Sequence, residues 1–227
     1  MNLRWSFLNG HFGDPSLYIW EINTRHAILI DCGDLSKFST RQLLKVTHIF
    51  LSHCHIDHFF GFDQFLRVHV GSEKIVTIMG PPQTSERVAG KLKGYTWNLV
   101  WDKNLEFVVI DFDSDKQQKK TTRFHAKNAF QAEYGPVENW TFIEPIFDSG
   151  NFKVTAITLD HRTPSMAYTV EEKISFAINK SKLDEMGFIA GPWLNELKQA
   201  YLSGLLGQLI QVELKNEPPT IYSTADL

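Results

Sequence analysis

One short segment restricts what this chain can fold into more than any other: residues 47–58 read THIFLSHCHIDH. An apolar run is followed at once by three histidines and one aspartate within six residues, in a chain that has nine histidines. Such polar side chains are costly to bury at a strand end unless they are paired or bound to a metal ion. The segment therefore predicts a strand that ends in a functional loop at the edge of a sheet.

The sequence around this segment alternates between patterns typical of strands and of helices. Apolar runs bounded by polar residues or glycine predict four strands, near 3–8, 16–22, 26–31 and 47–52. Helical spacing predicts two helices with a buried strand between them, at 62–70, 83–94 and 75–79 respectively. This alternation indicates an α/β fold with layers of helices on a sheet.

A second sheet is predicted for residues 105–178, where short strand-like runs dominate. The runs are LEFVVIDF, TTRFHA, WTFIEPIF, NFKVTAITL, SMAYTV and ISFAI. The polar segment DSDKQQKK, at 113–120, is predicted as a surface loop that forms a solvated hairpin tip. Helical spacing follows in SKLDEMG and in WLNELKQAYLSGLLGQLIQV, separated by Gly191-Pro192. We therefore predict a main domain at 1–178, a helical arm or insertion at 179–212 and the start of a C-terminal region at 213–227.

Composition excludes several classes of protein. The 227 residues correspond to one large domain, or to one domain with an insertion. The net charge of −3 does not attract nucleic acid as that of a strongly basic domain would. No stretch approaches the roughly 20 apolar residues of a membrane span, and the N-terminus turns polar too soon for a signal peptide. We expect a cytoplasmic protein without a membrane partner, in which Cys32 and Cys54 are reduced thiols.

The residue types of the histidine loop are those that bind zinc and similar divalent ions. His53 and His55 are predicted to face one ion, and Asp57 and His58, past the turn, a second position close to it. Two ions about 3.5–4 Å apart suit phosphoester cleavage, because they generate a hydroxide and neutralise charge on the attacked group. The pattern therefore favours a metal-dependent hydrolase.

The motif His-x-His-x-Asp-His after a strand resembles the signature loop of the metallo-β-lactamase fold hydrolases. The segment 28–33, ILIDCG, is similar to the strand of that superfamily that ends in Asp and Gly. The resemblance implies a four-layered αββα sandwich. It also implies that Asp31 supports the metal loop from behind the ligands.

Residues 158–168, TLDHRTPSMAY, resemble the ribonuclease Z branch of this superfamily. This implies that His161 is a third ligand of the ion held by His53 and His55, and that the complete enzyme holds two zinc ions. Asp57 would orient the metal-bound water and accept its proton. The implied reaction is endonucleolytic removal of the 3′ trailer of precursor tRNA by metal-activated hydroxide. The remaining histidines, such as His125, are predicted to be ordinary structural residues.

The segment 182–198, KLDEMGFIAGPWLNELK, resembles the protruding arm with which short-form ribonuclease Z enzymes grip precursor tRNA. The resemblance implies RNA contacts from the arm and a homodimer. The implied arm residues are Lys180, Lys182, Gly191, Pro192 and Lys198. In the alternative interpretation, helically spaced apolar residues bury one face of an ordinary helix. These residues are Trp193, Leu194, Leu197, Tyr201 and Leu205.

The chain departs from the family pattern in two places. The N-terminal loop, usually rich in small residues, reads NGHFGDP at 9–15. A Gly-Asp that bridges both ions, a final histidine and the proton donor to the leaving group are not visible before Leu227. We therefore expect an incomplete C-terminal half, a weak or empty second ion site and an uncovered apolar face.

Two other functions fit the same residues. One is a related metallohydrolase that acts on a small ester, thioester or cyclic phosphodiester. The other is a truncated domain that binds one ion without catalysis, or that serves as an interaction module. The arm favours RNA as the substrate, whereas the missing ligands favour the non-catalytic domain for this chain alone.

Overall fold

A computed structural model describes residues 3–22, 24–173 and 178–227. The chain forms two compact units, Met1–Glu172 and Lys173–Leu227. Within the described residues, no helix is both long and apolar enough to cross a membrane.

The first unit contains an eight-stranded sheet in which the strands follow one another in chain order. Strands β3 to β6 are parallel to one another, and the outer pairs on both sides are antiparallel. The strands are β1 (Leu3–Phe7), β2 (Leu17–Glu21), β3 (Ala27–Ile30), β4 (Val46–Phe50), β5 (Ile75–Gly80), β6 (Glu106–Asp113), β7 (Gln118–His125) and β8 (Ala132–Asn139).

One face of this sheet is covered by helices. Leu29, Ile49, Ile78 and Val109 are register partners across the parallel strands, and all four are buried in the core on that face. Because successive residues of a strand point to opposite faces, their neighbours along each strand supply the other core. The helices of this unit are α1 (Thr40–Leu43), α2 (Ile56–Phe59), α3 (Phe62–His69) and α4 (Thr84–Lys93). A 3₁₀ turn at Ala126–Asn128 follows β7.

A three-stranded antiparallel sheet packs against the opposite face of the large sheet. Its strands, in spatial order, are β11 (Pro164–Glu172), β10 (Phe152–Asp160) and β9 (Phe147–Asp148). Phe50 of β4 packs with its ring centroid 5.5 Å from that of Tyr168 of β11, and Val154 is buried in the same core. On the outer face of β10, Ile157 and Leu159 are exposed. The fold is therefore an α/β sandwich in which helices cover the outer face of the large sheet, as the sequence predicts.

The second unit consists of two helices and a hairpin around a small core. The core residues are Phe188, Trp193, Ile210 and Val212. The elements are α5 (Lys180–Glu185), α6 (Trp193–Leu202), β12 (Leu209–Val212) and β13 (Thr220–Ser223). Of the helically spaced residues singled out in the sequence, Trp193 is buried, whereas Tyr201 and Leu205 are exposed.

Three sequence-based predictions need correction. The helical arm at 179–212 ends as a helix at Leu202, because Gly204 lies in the left-handed region (φ 70°) and 209–212 alternates buried and exposed residues as a strand does. The predicted strand WTFIEPIF forms only at its end, Phe147–Asp148; Pro145 interrupts it and Trp140 packs on Phe112 instead. The runs LEFVVIDF and TTRFHA, predicted to lie in a second sheet, lie in β6 and β7 of the large sheet instead. The segment 113–120 between them contains a hairpin tip, as predicted.

The structure also differs from the sequence-based predictions in two strands and in one domain boundary. β8 was not predicted, since its sequence, AEYGPVEN, combines glycine and proline and lies at an exposed sheet edge. A four-residue strand, β13, precedes Thr224, although the sequence indicates no strand there of useful length. The predicted strand ISFAI lies at 174–178, and residues 174–177 are outside the described residues. The first unit ends at Glu172, six residues before the predicted domain boundary.

Candidate metal centre

The candidate centre lies at the edge of the large sheet where β3 and β4 end. These strands are parallel neighbours, so the residues that follow them emerge side by side. Asp31 follows β3 with a left-handed backbone (φ 59°), and its N–H donates to the carbonyl of Phe50 at 2.9 Å. The loop that begins at Ser52 follows β4 and runs into α2, whose N-terminal flanking residue is His55.

A buried carboxylate organises this loop. Asp31 Oδ1 accepts hydrogen bonds from the backbone N–H of Ser52 at 2.7 Å and from Ser52 Oγ at 2.9 Å. Asp31 Oδ2 lies 2.8 Å from Nδ1 of His58. The carboxylate therefore fixes both ends of the histidine loop and leaves Nε2 of His58 free of Asp31.

Two glycines allow the backbones of the two loops to pack closely. The N–H of Cys32 donates to the carbonyl of His58 at 2.8 Å, and the N–H of Gly61 donates to the carbonyl of Cys32 at 2.9 Å. A Cβ atom on Gly61 would lie 2.0 Å from the carbonyl oxygen of Gly33. One on Gly33 would lie 2.4 Å from the carbonyl oxygen of Asp57. Only glycine fits at either position.

Three histidines converge at this edge. Each of His53, His55 and His161 offers one ring nitrogen, and these nitrogens lie within 4.8 Å of one another. Nε2 of His53 is 2.9 Å from Nδ1 of His55, and the ring centroids of His53 and His161 are 5.1 Å apart. In the part of the chain that the structure describes, no other group of three potential metal-ligating side chains is as compact. Imidazole nitrogens meeting at one point are a donor set that suits zinc, so the residues fit a metal ion.

His161 reaches the site from the other sheet. It lies in the turn that joins β10 to β11, and the register of these strands ends at the pair Asp160 and Pro164. The backbone N–H of Met166 donates to the carbonyl of Ser52 at 2.8 Å, and Oη of Tyr168 donates to the carbonyl of Leu51 at 2.6 Å. These two contacts fasten β11 to the end of β4 and so bring His161 to the loop.

The surroundings of the site shift the pKa values of two of its histidines in opposite directions. Burial, followed by the neighbouring rings of His58 and His55, lowers the pKa of His53. A hydrogen bond with Asp31 is the main cause that raises the pKa of His58, and the carboxylate of Asp57 adds to it. A histidine binds metal as neutral imidazole, so the environment of His53 favours the form that a ligand requires.

The other predicted metal ligands lie next to this group but not within it. Asp57 stands in the first turn of α2, and its side chain is 51% exposed. Its Oδ2 is 3.5 Å from Nε2 of His58. The pair is adjacent to the three histidines, since the rings of His53 and His58 are 4.1 Å apart.

The predicted arm residues belong to the second unit. Lys180 and Lys182 lie in α5, Lys198 lies in α6, and all three are exposed. Gly191 and Pro192 connect the two helices, with Pro192 as the residue that precedes α6. Both cysteines are free, as expected.

Sequence reasoning assigned no role to two residues that position the site. Ser52 bridges Asp31 and the ring nitrogens of His53 and His58, at 3.0 and 3.1 Å. A small hydroxyl residue immediately before a histidine cluster is the signal that indicates such a bridge. Tyr168 carries no comparable signal, because its partner, Leu51, is 117 residues away in the sequence.

The sequence of this chain is similar to those of known proteins of one superfamily. Residues 12–113 match the profile of the metallo-beta-lactamase superfamily. Ribonuclease Z of Deinococcus radiodurans is 27% identical over 174 residues, which are 75% of this chain and 52% of that protein. Ribonuclease Z of Listeria innocua is 31% identical over 193 residues, 81% of this chain and 52% of that protein.

A solved structure of the short form of human tRNase Z is similar over 76% of this chain and 64% of that one, with 20% identity and a TM-score of 0.45. The chain spans about half the length of the curated relatives that it matches. By its match to the superfamily profile the chain has the metallo-β-lactamase fold, and by its similarity to the two curated relatives it resembles the ribonuclease Z branch of that superfamily.

Proposed function

We propose that this chain carries the zinc-binding part of a phosphodiesterase similar to ribonuclease Z, and that the complete enzyme removes the 3′ trailer of precursor tRNA. The observation that supports this most is the convergence of His53, His55 and His161 from two different sheets. A core packing role does not explain it, because His55 and His161 are exposed. Two exposed histidines meet a third at one point although packing does not hold them there, and a metal ion requires such a convergence of ring nitrogens.

The three histidines would hold a zinc ion through their ring nitrogens. When bound, zinc acts as a Lewis acid that lowers the pKa of a coordinated water to about 7. Asp31 holds Ser52 and His58 in place and so keeps the loop in one conformation. Asp57, half exposed beside His58, is the carboxylate that can accept a proton at this edge and, with His58, contribute to a second ion position.

The RNA part of the proposal concerns the arm. Lys180, Lys182 and Lys198 would contact phosphates of precursor tRNA outside the metal centre, with Gly191-Pro192 setting the bend between α5 and α6. Neutralising these lysines would weaken RNA binding and lower its salt dependence by roughly one unit of slope per lost phosphate contact. As in the family that the chain resembles, a homodimer is the expected assembly.

Zinc titration of the 227-residue chain, with a chelating dye as competitor, tests the site. We expect close to one equivalent per chain, because the three histidines form one compact group. His55→Ala and His161→Ala should each remove most of the affinity. His11→Ala is the matched control, since His11 is an exposed histidine outside the group. Equal zinc affinity in all three variants would contradict the site.

Measuring which substrate the protein cleaves then distinguishes a ribonuclease from a small-molecule hydrolase and from a non-catalytic domain. Zinc-loaded protein is given precursor tRNA or a small aromatic phosphodiester. Cleavage at the 3′ trailer supports the ribonuclease. Hydrolysis of the small diester alone would favour a small-molecule hydrolase. Zinc bound with no turnover of either would mean that this chain alone is a metal-binding domain, as its coverage of half the relatives' length allows.

A further inference from the structure

Four aromatic residues near the metal centre are exposed and have no role in holding the ion. Trp5 and Phe7 lie on the edge strand β1 and are 65% and 48% exposed, and His11 and Phe12 follow in the loop. Phe12 is fully exposed, in the segment where the sequence departs from the small residues of the ribonuclease Z loop. We name these four residues the aromatic ridge.

The ridge is continuous from β1 into the loop. The ring centroids of Trp5 and Phe7 are 5.7 Å apart, and those of Phe7 and His11 are 6.1 Å apart. A single exposed apolar side chain needs no explanation, but a row of exposed aromatic side chains is unusual on a protein surface. Exposed aromatic rings are the groups on which nucleobases stack.

The ridge lies at the same sheet edge as the metal centre. Phe7 pairs with Leu17, which pairs with Ile30, the residue before Asp31. The loop after Phe7 is therefore next to the end of β3. The N–H of Gly33 donates to the carbonyl of Pro15 at 3.0 Å, which ties this loop to the loop that carries Asp31.

The loop is also held in place from within. Nδ2 of Asn9 donates to the carbonyl of Asp14 at 2.9 Å and to that of Asp34 at 2.8 Å. A Cβ on Gly33 would meet both the Cβ of Asp14 at 2.7 Å and the carbonyl of Asp57. The loop and the α2 segment of the metal centre thus contact the same glycine, so the loop lies directly beside the metal centre.

One cation accompanies the ridge. Nζ of Lys37 donates to the carbonyl of Leu8 at 3.4 Å, and the lysine side chain is exposed. Aromatic rings for bases with a nearby cation for the backbone are the combination by which proteins bind single-stranded nucleic acid.

We propose that the aromatic ridge stacks nucleobases of the single-stranded RNA segment that leads away from the metal centre, with Phe12 as the principal contact. The proposal deepens the proposed function and rests on it for the identity of the strand. In this proposal the choice of RNA depends on base stacking beside the metal centre as well as on phosphate contacts of the arm.

The test is fluorescence anisotropy with a labelled 12-nucleotide single-stranded RNA and with an abasic strand of the same length, in EDTA so that no cleavage occurs. Phe12→Ala should weaken binding of the RNA about 5- to 140-fold, the range expected for the loss of one stacked base. Phe12→Trp, which keeps a ring, should bind within a few-fold of the wild type. Trp101→Ala is the matched control, because Trp101 is 74% exposed but precedes β6 at the opposite sheet edge.

Two further readouts separate base stacking from phosphate binding and from self-association. Phe12→Ala should leave the dependence of log Kd on log salt unchanged, whereas Lys37→Ala should flatten it by about one unit. The abasic strand should bind Phe12→Ala and wild type equally. Equal affinity of wild type for the two strands would overturn the proposal, as would a Phe12→Ala change from dimer to monomer in sedimentation, which would make the ridge an interface between copies.

The assay needs neither zinc nor turnover, so it fails independently of the proposed function. Loss of zinc binding or of cleavage would leave the stacking result standing. Intact cleavage without any effect of Phe12→Ala on RNA binding would overturn the proposal for the aromatic ridge and leave the proposed function in place.

Discussion

The two parts of the candidate metal centre are held by different kinds of structure. The loop of His53 and His55 is fixed by contacts within 30 residues of sequence: the carboxylate of Asp31 and the close backbone packing of Gly33 and Gly61. His161 stands in an exposed hairpin turn that owes its place to contacts of Met166 and Tyr168 with residues more than 100 positions away. The first part is preorganised, and the second depends on docking of one sheet on another.

This difference determines where a substitution should act. A change in the loop of His53 disturbs its ligands and the packing of the two strands behind them together. A change in the hairpin disturbs one ligand, because the rest of β10 and β11 is fastened by the core around Phe50 and Val154. We therefore expect loop variants to lose fold and metal binding together, and hairpin variants to lose metal affinity with smaller effects on stability.

The largest expected effect is that of Gly61→Ala. The added methyl would lie 2.0 Å from the backbone oxygen of Gly33 and 2.6 Å from a side-chain carbon of Leu35. Because backbone must move, we expect a loss of at least about 3 kcal/mol in the free energy of unfolding, the upper range for overpacked sites. Urea unfolding followed by far-UV circular dichroism measures it, and zinc affinity should fall in parallel.

The matched control is Gly90→Ala, in α4, where a methyl group meets nothing within 4 Å. Alanine is favoured over glycine within a helix, so the control should gain about 0.5–1 kcal/mol. A stable Gly61→Ala with unchanged zinc binding would show that the two loops do not need this close approach.

The next largest effect is expected for Asp31→Asn. Asparagine tolerates the left-handed backbone at this position, and its one side-chain oxygen can still accept hydrogen bonds from Ser52. The amide group that replaces the second oxygen cannot accept a hydrogen bond from His58. Loss of such a supporting partner lowers metal affinity about 10- to 100-fold. Competition with a chelating dye measures it. Asp34→Asn, which weakens only the turn contacts with Ser36, should stay within a factor of two of wild type, roughly the scatter of single surface changes.

The loop of His53 was predictable from sequence because its determinants are local. An apolar strand, a histidine cluster and the Asp-Gly ending of the preceding strand all lie within residues 27–61, and the structure places them as parallel neighbours. The contribution of His161 was predicted only through family resemblance. Nothing in residues 158–168 shows by spacing alone that Tyr168 binds the carbonyl of Leu51.

The wrong predictions have a related cause. Residues 193–212 combine leucines at helical spacing with a final alternation, and the local pattern cannot tell that Ile210 and Val212 join Trp193 in a shared core. Residues 140–147 are as aromatic as a strand, yet Trp140 and Phe142 pack their rings against each other, 4.1 Å between centroids, without strand pairing. In both segments tertiary packing overrides the local preference.

A smaller effect is expected for Tyr168→Phe. The variant keeps the ring that packs on Phe50 and removes only the hydroxyl that donates to Leu51. The lost buried hydrogen bond should cost about 1–2 kcal/mol of unfolding free energy. Zinc affinity should fall several-fold, since β11 loses one of the two contacts that fasten it beside the site. Tyr134→Phe, at the exposed edge strand β8, should leave both quantities unchanged. A Tyr168→Phe protein with full zinc affinity would mean that Met166 alone positions the hairpin.

The smallest effect, and the sharpest contrast, should come from the two ends of β10. Asp160 Oδ1 accepts from the N–H of Arg162 at 2.9 Å in the turn that carries His161, and Asp148 Oδ1 accepts from the N–H of Gly150 at 2.7 Å in the turn before β10. Both bonds are exposed, so Asp160→Ala and Asp148→Ala should each change the free energy of unfolding by less than about 0.5 kcal/mol. Only Asp160→Ala loosens a ligand, and its zinc affinity should fall about two- to fivefold, below the tenfold loss typical of buried supporting partners. Equal zinc affinities in the two variants would show that His161 is positioned by the docking of β11 alone and that its own turn contributes nothing.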